Sequence, residues 1–151
     1  MRALGRAFGE ATGPGQIFGL DGPLGAGKTQ WVKGLGAGLG ATSVINSPSF
    51  TIVKPHVGKS LTLHHADLYR LSSAEECEAL DLDALVTAES ILAVEWAMRF
   101  PALAARALRL TIEFGTGEAE RVVTATPKSD EHQRLMDSLR LGETDALEPI
   151  E

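Results

Sequence analysis

Residues 22–29 read GPLGAGKT and match the phosphate-binding pattern G-x-x-x-x-G-K-[S/T] at every defined position. In such loops successive backbone N–H groups point inward around a phosphate, and glycines are needed where a Cβ would block the turn. Gly25 and Gly27 supply that freedom. Residues 16–21 before the loop predict a short buried strand, and residues 28–39 after it predict a helix. This strand–loop–helix order favours nucleotide binding over a chance glycine-rich turn.

The last two residues of the motif have distinct predicted roles. Lys28 would reach the β- and γ-phosphates of a nucleotide as a positive point charge. The Thr29 hydroxyl would ligate Mg²⁺, and the helix that begins here would add the partial positive charge of its N-terminus. The motif therefore predicts a nucleotide bound with Mg²⁺.

Length, charge and cysteine content restrict the class of protein. The chain has 151 residues, close to the size of one domain, and a formal net charge of −6. Because no broad basic field is expected, direct binding to DNA is not predicted, and contact with RNA is expected to pass through a partner. The single cysteine, Cys77, fits a reducing compartment, and no apolar run is long enough for a signal peptide or a membrane span. A cytoplasmic protein without membrane contact is expected.

The rest of the chain shows alternating helix and strand patterns. Residues 2–11 carry apolar side chains at helical spacing before the first strand. Residues 51–65 alternate as an antiparallel hairpin, and residues 91–95 predict a buried strand. Residues 107–114 and 121–126 predict a second, closing hairpin. These patterns predict an α/β fold.

Two acids at predicted strand ends are candidates for the chemistry. Glu95 follows four apolar residues and precedes Trp96, a position where P-loop enzymes place an acid that holds Mg²⁺. Asp67 also ends a predicted strand, but such acids often cap the next turn, and both interpretations stay open. The adjacent His64 and His65 point to opposite faces of a strand, which argues against a shared metal site and favours structural roles.

A polar extended segment, SPSFT at residues 47–51, is a candidate sensor of the nucleotide. P-loop switches place hydroxyl groups at this point of the chain to contact the γ-phosphate. Of the available hydroxyls, Ser49 is preferred over Thr51.

Four segments occur in order along the chain: GPLGAGKT, SPSFTIV, HHADLYRL and ILAVEW. Together they resemble the TsaE (formerly YjeE) family, the bacterial ATPases of tRNA threonylcarbamoyladenosine biosynthesis, from about residue 3 to residue 126. The resemblance implies a P-loop NTPase-like α/β fold with a mainly parallel central sheet, an antiparallel hairpin and helices on both faces. It also implies ATP or ADP with Mg²⁺ as ligands, and ATP hydrolysis that is weak without partners.

The family also implies partners. TsaD and TsaB act with the ATPase, and the complex modifies the adenosine beside the anticodon in tRNAs that read codons beginning with A. Contact with tRNA is therefore expected only through the complex. Family members usually begin several residues before the position of Met1, so the resemblance implies an earlier start for the complete protein.

Site residues carry over by position. Lys28, Asp67 and Glu95 correspond to catalytic groups, and Thr29 with Glu95 to the magnesium ligands. Whether Asp67 or Glu95 orients the attacking water stays open. The expected nucleotide-binding residues are Leu24, Gly25, Ala26, Gly27, Lys28, Thr29, Ser49 and Trp96.

The predicted organisation is a P-loop ATPase domain over residues 1–127, a C-terminal helix over 128–141 and an acidic, disordered tail over 142–151. Two alternatives to the ATPase remain. A small-molecule kinase would share the phosphate loop but would need clustered lid arginines. A nucleotide-dependent scaffold without useful turnover would differ from the ATPase in showing no stimulation by partners.

Overall fold

A computed structural model describes residues 1–48 and 50–139 of the chain. Its strands are β1 (Ile17–Asp21), β2 (Val53–Val57), β3 (Thr62–Asp67), β4 (Ser90–Glu95), β5 (Leu108–Phe114) and β6 (Arg121–Thr126). Its helices are α1 (Arg2–Ala11), α2 (Lys28–Gly38), α3 (Ala74–Ala79), α4 (Pro101–Ala104) and α5 (Asp130–Ser138), with short 3₁₀ helices at Leu82–Leu85 and Ala97–Arg99. No helix in this part of the chain is long and apolar enough to cross a bilayer. Ser49 and the predicted tail, residues 142–151, lie outside the described residues.

The six strands form one mixed sheet in the order β2-β3-β4-β1-β5-β6. The inner pairs β3–β4, β4–β1 and β1–β5 are parallel, and the outer pairs β2–β3 and β5–β6 are antiparallel. The predicted mainly parallel sheet with antiparallel hairpins is thereby confirmed. Because β3, β4 and β1 run in the same direction side by side, their carboxyl ends meet at one edge, where open α/β sheets bind ligands.

Each face of the sheet is covered by an apolar layer. On one side, α1 and α2 bury an aromatic cluster of Phe8, Phe18 and Trp31, whose ring centroids lie 5.4–6.0 Å apart. On the other side, Leu68, Leu82 and other apolar residues from the segments after β3 and β4 form a second cluster. Strand β4 lies between the layers and is buried along its whole length, as its apolar run predicted.

Helices α1 and α2 approach each other closely because glycine occupies their contact positions. A Cβ built on Gly5 would lie 2.0 Å from the carbonyl oxygen of Trp31, and one built on Gly34 would lie 2.0 Å from that of Arg2. No side chain larger than hydrogen fits at either distance. The glycines that weaken the intrinsic helix propensity of α2 are therefore required for its packing.

We expect Gly34→Ala to lower the free energy of unfolding by about 1–3 kcal/mol, the usual cost of overpacking, even though alanine favours the helix. Urea denaturation would measure the change. Gly13→Ala is the matched control, because nothing lies within 4 Å of a Cβ at that position. Equal stability of the two variants would contradict the close helix contact.

The C-terminal helix begins with a side-chain cap. The Ser129 hydroxyl accepts a hydrogen bond of 3.1 Å from the backbone N–H of His132, which satisfies one free donor of the first turn. Leu135 of α5 packs into the apolar layer formed by α1 and α2. Helix α5 occupies part of the range, 128–141, that the sequence predicted for it.

Candidate functional site

The loop between β1 and α2 has the backbone shape of a phosphate cradle. Gly22, Gly25 and Gly27 adopt φ angles of 144°, 78° and 114°, values that residues with a Cβ rarely adopt. Gly27 is also the N-cap of α2, so the unpaired N–H groups of the first helical turn face the loop. From β6, Arg121 donates a hydrogen bond of 3.0 Å from Nε to the carbonyl oxygen of Ala26, which fixes the loop from behind.

The ammonium group of Lys28 is held inside this loop. Nζ donates to the carbonyl oxygens of Gly22 at 2.6 Å and Pro23 at 3.0 Å, and it lies 4.1 Å from the centre of the Trp96 ring. Burial lowers the pKa of Lys28, and nearby carboxylates, Glu95 foremost, act in the opposite direction. A phosphate in the loop would be a stronger partner for this cation than two neutral carbonyl groups.

Thr29 and Glu95 are in direct contact although they lie on different elements. The Thr29 hydroxyl is 3.0 Å from Oε1 and 3.1 Å from Oε2 of Glu95, and it donates to this carboxylate. Glu95 is only 3% exposed, and His65 Nε2 lies 2.6 Å from its Oε2. Hydroxyl and carboxylate oxygens are the ligands that Mg²⁺ prefers, so this donor set fits the ion.

Asp67 lies beside Glu95 in the parallel register of β3 and β4. Its Oδ1 accepts the backbone N–H of Tyr69 at 3.0 Å, and its Oδ2 accepts the Ser47 hydroxyl at 2.6 Å. The first bond caps the turn after β3, which was one of the two roles that the sequence left open for Asp67. The second ties the segment before β2 to the carboxyl end of β3.

Trp96 lies between the phosphate loop and the turn after β3. Its backbone is left-handed, with φ of 66°, which costs about 1–3 kcal/mol for a residue with a side chain. Its ring packs against the ring of Tyr69, which lies on the turn after β3, and the two ring centroids are 5.2 Å apart. Arg99 bonds the carbonyl oxygens of Tyr69 at 2.8 Å and Leu71 at 2.9 Å. These contacts hold the turn after β3 and the turn after β4 together beside the ammonium group of Lys28.

The phosphate loop, the start of α2 and the carboxyl ends of β3 and β4 line a cleft of about 560 Å³, a size suited to a small ligand. The cleft receives most of the predicted set: Leu24, Gly25, Gly27, Lys28, Thr29, Asp67, Glu95 and Trp96. Ala26 is buried behind it. Thr51 lines a neighbouring groove instead, and the preferred hydroxyl, Ser49, lies outside the described residues.

Several side chains that line the cleft or contact its residues were not singled out from the sequence. Ser47 and Arg70 line the cleft, and the Arg70 guanidinium lies 4.6 Å from the centre of the Phe50 ring. His65, interpreted as structural, contacts Glu95 directly. A signal for His65 existed, because residues two apart on a strand share a face, and His65 therefore points to the same side as Asp67.

Comparison with known proteins adds independent information. A family model described as "Threonylcarbamoyl adenosine biosynthesis protein TsaE" matches residues 1–123. The chain is 35% identical to the tRNA threonylcarbamoyladenosine biosynthesis protein TsaE of Bacillus subtilis, over 91% of this chain and 86% of that protein. It is 41% identical to the Streptomyces coelicolor protein of the same description, over 83% and 89% of the two chains. The crystal structure of Bacillus subtilis YdiB superposes with a TM-score of 0.71 at 29% identity, covering 92% of this chain and 86% of that one.

Proposed function

The chain belongs to the TsaE family, and from that premise we propose that it is a Mg²⁺-dependent ATPase required for threonylcarbamoylation of tRNA. One observation supports the ATPase part above all others. Lys28 of the phosphate loop, Thr29 of α2 and Glu95 of β4 converge in a single cleft at the carboxyl ends of the parallel strands. Phosphoryl transfer needs this kind of positioning and charge neutralisation more than covalent chemistry.

The nucleotide phosphates bind in the loop formed by residues 24–29. Backbone N–H groups of the loop and the first turn of α2 contact the phosphate oxygens, and Lys28 turns from its carbonyl partners toward the β- and γ-phosphates. Trp96 and Leu24 border the same cleft and contact the rest of the nucleotide. Ser49 contributes a hydroxyl group from the segment before β2.

Thr29 and Glu95 hold Mg²⁺, directly or through water, because they present hard oxygen atoms next to the phosphate loop. When bound, the ion neutralises charge on the transferring phosphoryl group. Asp67 orients the attacking water, since Glu95 is committed to Thr29 and the metal. Asp67 and Ser47, which donates to its Oδ2, both line the cleft.

Three arginines from the second half of the chain bond to other groups of the protein and do not line the cleft. Arg99 donates to two carbonyl groups, Arg106 pairs with Asp83, and Arg121 holds the phosphate loop. Arginines used in this way do not form a lid over an acceptor molecule. Hydrolysis of ATP therefore fits the chain better than phosphorylation of a small metabolite.

We place the chain in a complex with TsaD and TsaB, which carries out the transfer to the adenosine beside the anticodon of tRNAs reading A-starting codons. The net charge of −6 gives no basic field for tRNA, so tRNA binds through the complex. The isolated chain hydrolyses ATP slowly, because a partner completes or orders the catalytic site.

Steady-state ATP hydrolysis by the chain alone and with TsaD plus TsaB tests this function. We expect stimulation by the partners of at least about 10-fold, and no stimulation for a variant with a disabled phosphate loop. Adding only TsaD or only TsaB separates the two contributions. Flat, partner-independent turnover would contradict the proposal, and binding of ATP without any turnover would leave the nucleotide-dependent scaffold.

A further inference from the structure

We propose that His65 is a positioning residue, which holds the Glu95 carboxylate in the orientation needed to bind Mg²⁺. This inference rests on the proposed function, because it concerns the metal site of the same ATPase. It starts from a buried contact of 2.6 Å between His65 Nε2 and Glu95 Oε2. His65 is 0% exposed and Glu95 is 3% exposed, so water does not compete for this bond.

The sheet brings the two side chains together through its register. In the parallel pairing of β3 and β4, His65 lies opposite Ala93, and Asp67 lies opposite Glu95. All four side chains share one face, because residues two apart on a strand point the same way. His65 and Glu95 therefore lie on the same face of neighbouring strands, two residues apart in the register.

The hydrogen-bond chemistry of His65 matches this role. An ionised carboxylate only accepts, so the hydrogen must be on Nε2 of His65. Within the described residues His65 Nδ1 has no hydrogen-bond partner. A buried nitrogen without a partner costs less free energy when it carries a lone pair than when it carries a hydrogen. This favours the tautomer of His65 with its hydrogen on Nε2. The surroundings of both ring nitrogens therefore favour a His65 that donates a hydrogen bond from Nε2 to Glu95.

Two donors then hold the carboxylate from different elements. The Thr29 hydroxyl contacts both of its oxygens from α2, and His65 binds Oε2 from β3. Without His65, the Thr29 hydroxyl would be the remaining side-chain donor to this carboxylate among the described residues, and Thr29 is itself assigned to the metal. Partners of this kind typically change metal affinity or activity by about 10–100-fold when they are removed.

The test uses two amide variants of similar polarity. The His65→Gln side chain can place an N–H near the position of Nε2, whereas the shorter His65→Asn side chain cannot reach it. Affinity for the non-hydrolysable analogue AMP-PNP is measured by calorimetry with and without Mg²⁺. We expect His65→Asn to reduce the Mg²⁺-dependent gain in affinity by about 10-fold or more, with unchanged affinity in the absence of Mg²⁺. His65→Gln should retain most of the gain.

The control is His64→Asn, the same change on the neighbouring, half-buried residue whose side chain points to the opposite face. Equal Mg²⁺ dependence in His65→Asn and the wild-type chain would overturn the inference. So would a loss of affinity of the same size with and without Mg²⁺, which is the result of a purely structural role. A wild-type chain that binds AMP-PNP no better with Mg²⁺ would instead overturn the metal site of the proposed function.

Discussion

Replacing Lys28 with alanine is expected to reduce ATP hydrolysis by at least about 100-fold and to weaken ATP binding. The ammonium is the cation that the loop supplies to the phosphates. Lys28 is only 5% exposed, and its ammonium is held by two carbonyl groups and the Trp96 ring. Alanine leaves the glycine-shaped backbone of the loop intact, so its N–H groups still contact phosphate. The loss therefore reports the charge of Lys28 rather than the collapse of the loop.

Lys33→Ala is the matched control for this variant. Lys33 lies on the same helix, α2, and does not line the cleft, so the two variants share the same change in helix propensity and net charge. Turnover is measured at saturating ATP, and binding is measured by calorimetry. Wild-type turnover in Lys28→Ala would remove the phosphate loop from the proposed chemistry. A similar loss in Lys33→Ala would indicate a general defect of α2.

Much of the fold was predictable because its signals are local. The strand before the phosphate loop, the helix after it and the apolar run of β4 are all encoded by residues adjacent in sequence. The close packing of α1 against α2 was not predictable from local signals. Gly34 lowers helix propensity in any local analysis, and only the facing backbone of Arg2 reveals why glycine is required there.

The same difference between local signals and contacts of distant residues explains which site residues were predicted. The motif located Lys28 and Thr29 because their roles depend on a loop that is contiguous in sequence. The bond from Ser47 to Asp67 spans twenty residues, and the bond from His65 to Glu95 spans thirty. Strand order and register determine which side chains meet, and a single sequence does not contain that information in a local pattern.

The second large effect is expected for Glu95→Gln. The substitution keeps the size of the side chain but removes its negative charge, and a neutral amide is a poor ligand for Mg²⁺. We expect Mg²⁺-dependent hydrolysis to fall by about 100-fold or more, while affinity for ATP without Mg²⁺ stays near the wild-type value. This pattern differs from that of Lys28→Ala, which weakens nucleotide binding in both conditions.

Stability separates the functional role of Glu95 from a structural one. Burying a carboxylate at 3% exposure costs free energy, which opposes the gain from the Thr29 and His65 hydrogen bonds and the nearby Lys28 ammonium, so we expect the neutral amide to leave the free energy of unfolding of the ligand-free chain near the wild-type value. Glu113→Gln, at an exposed position on β5, is the control for the change in net charge. Hydrolysis, its Mg²⁺ dependence and urea denaturation are measured on both variants. Wild-type turnover in Glu95→Gln would exclude this residue from the metal site, whereas lost turnover with undiminished stability would mean that β4 keeps a buried charge for catalysis.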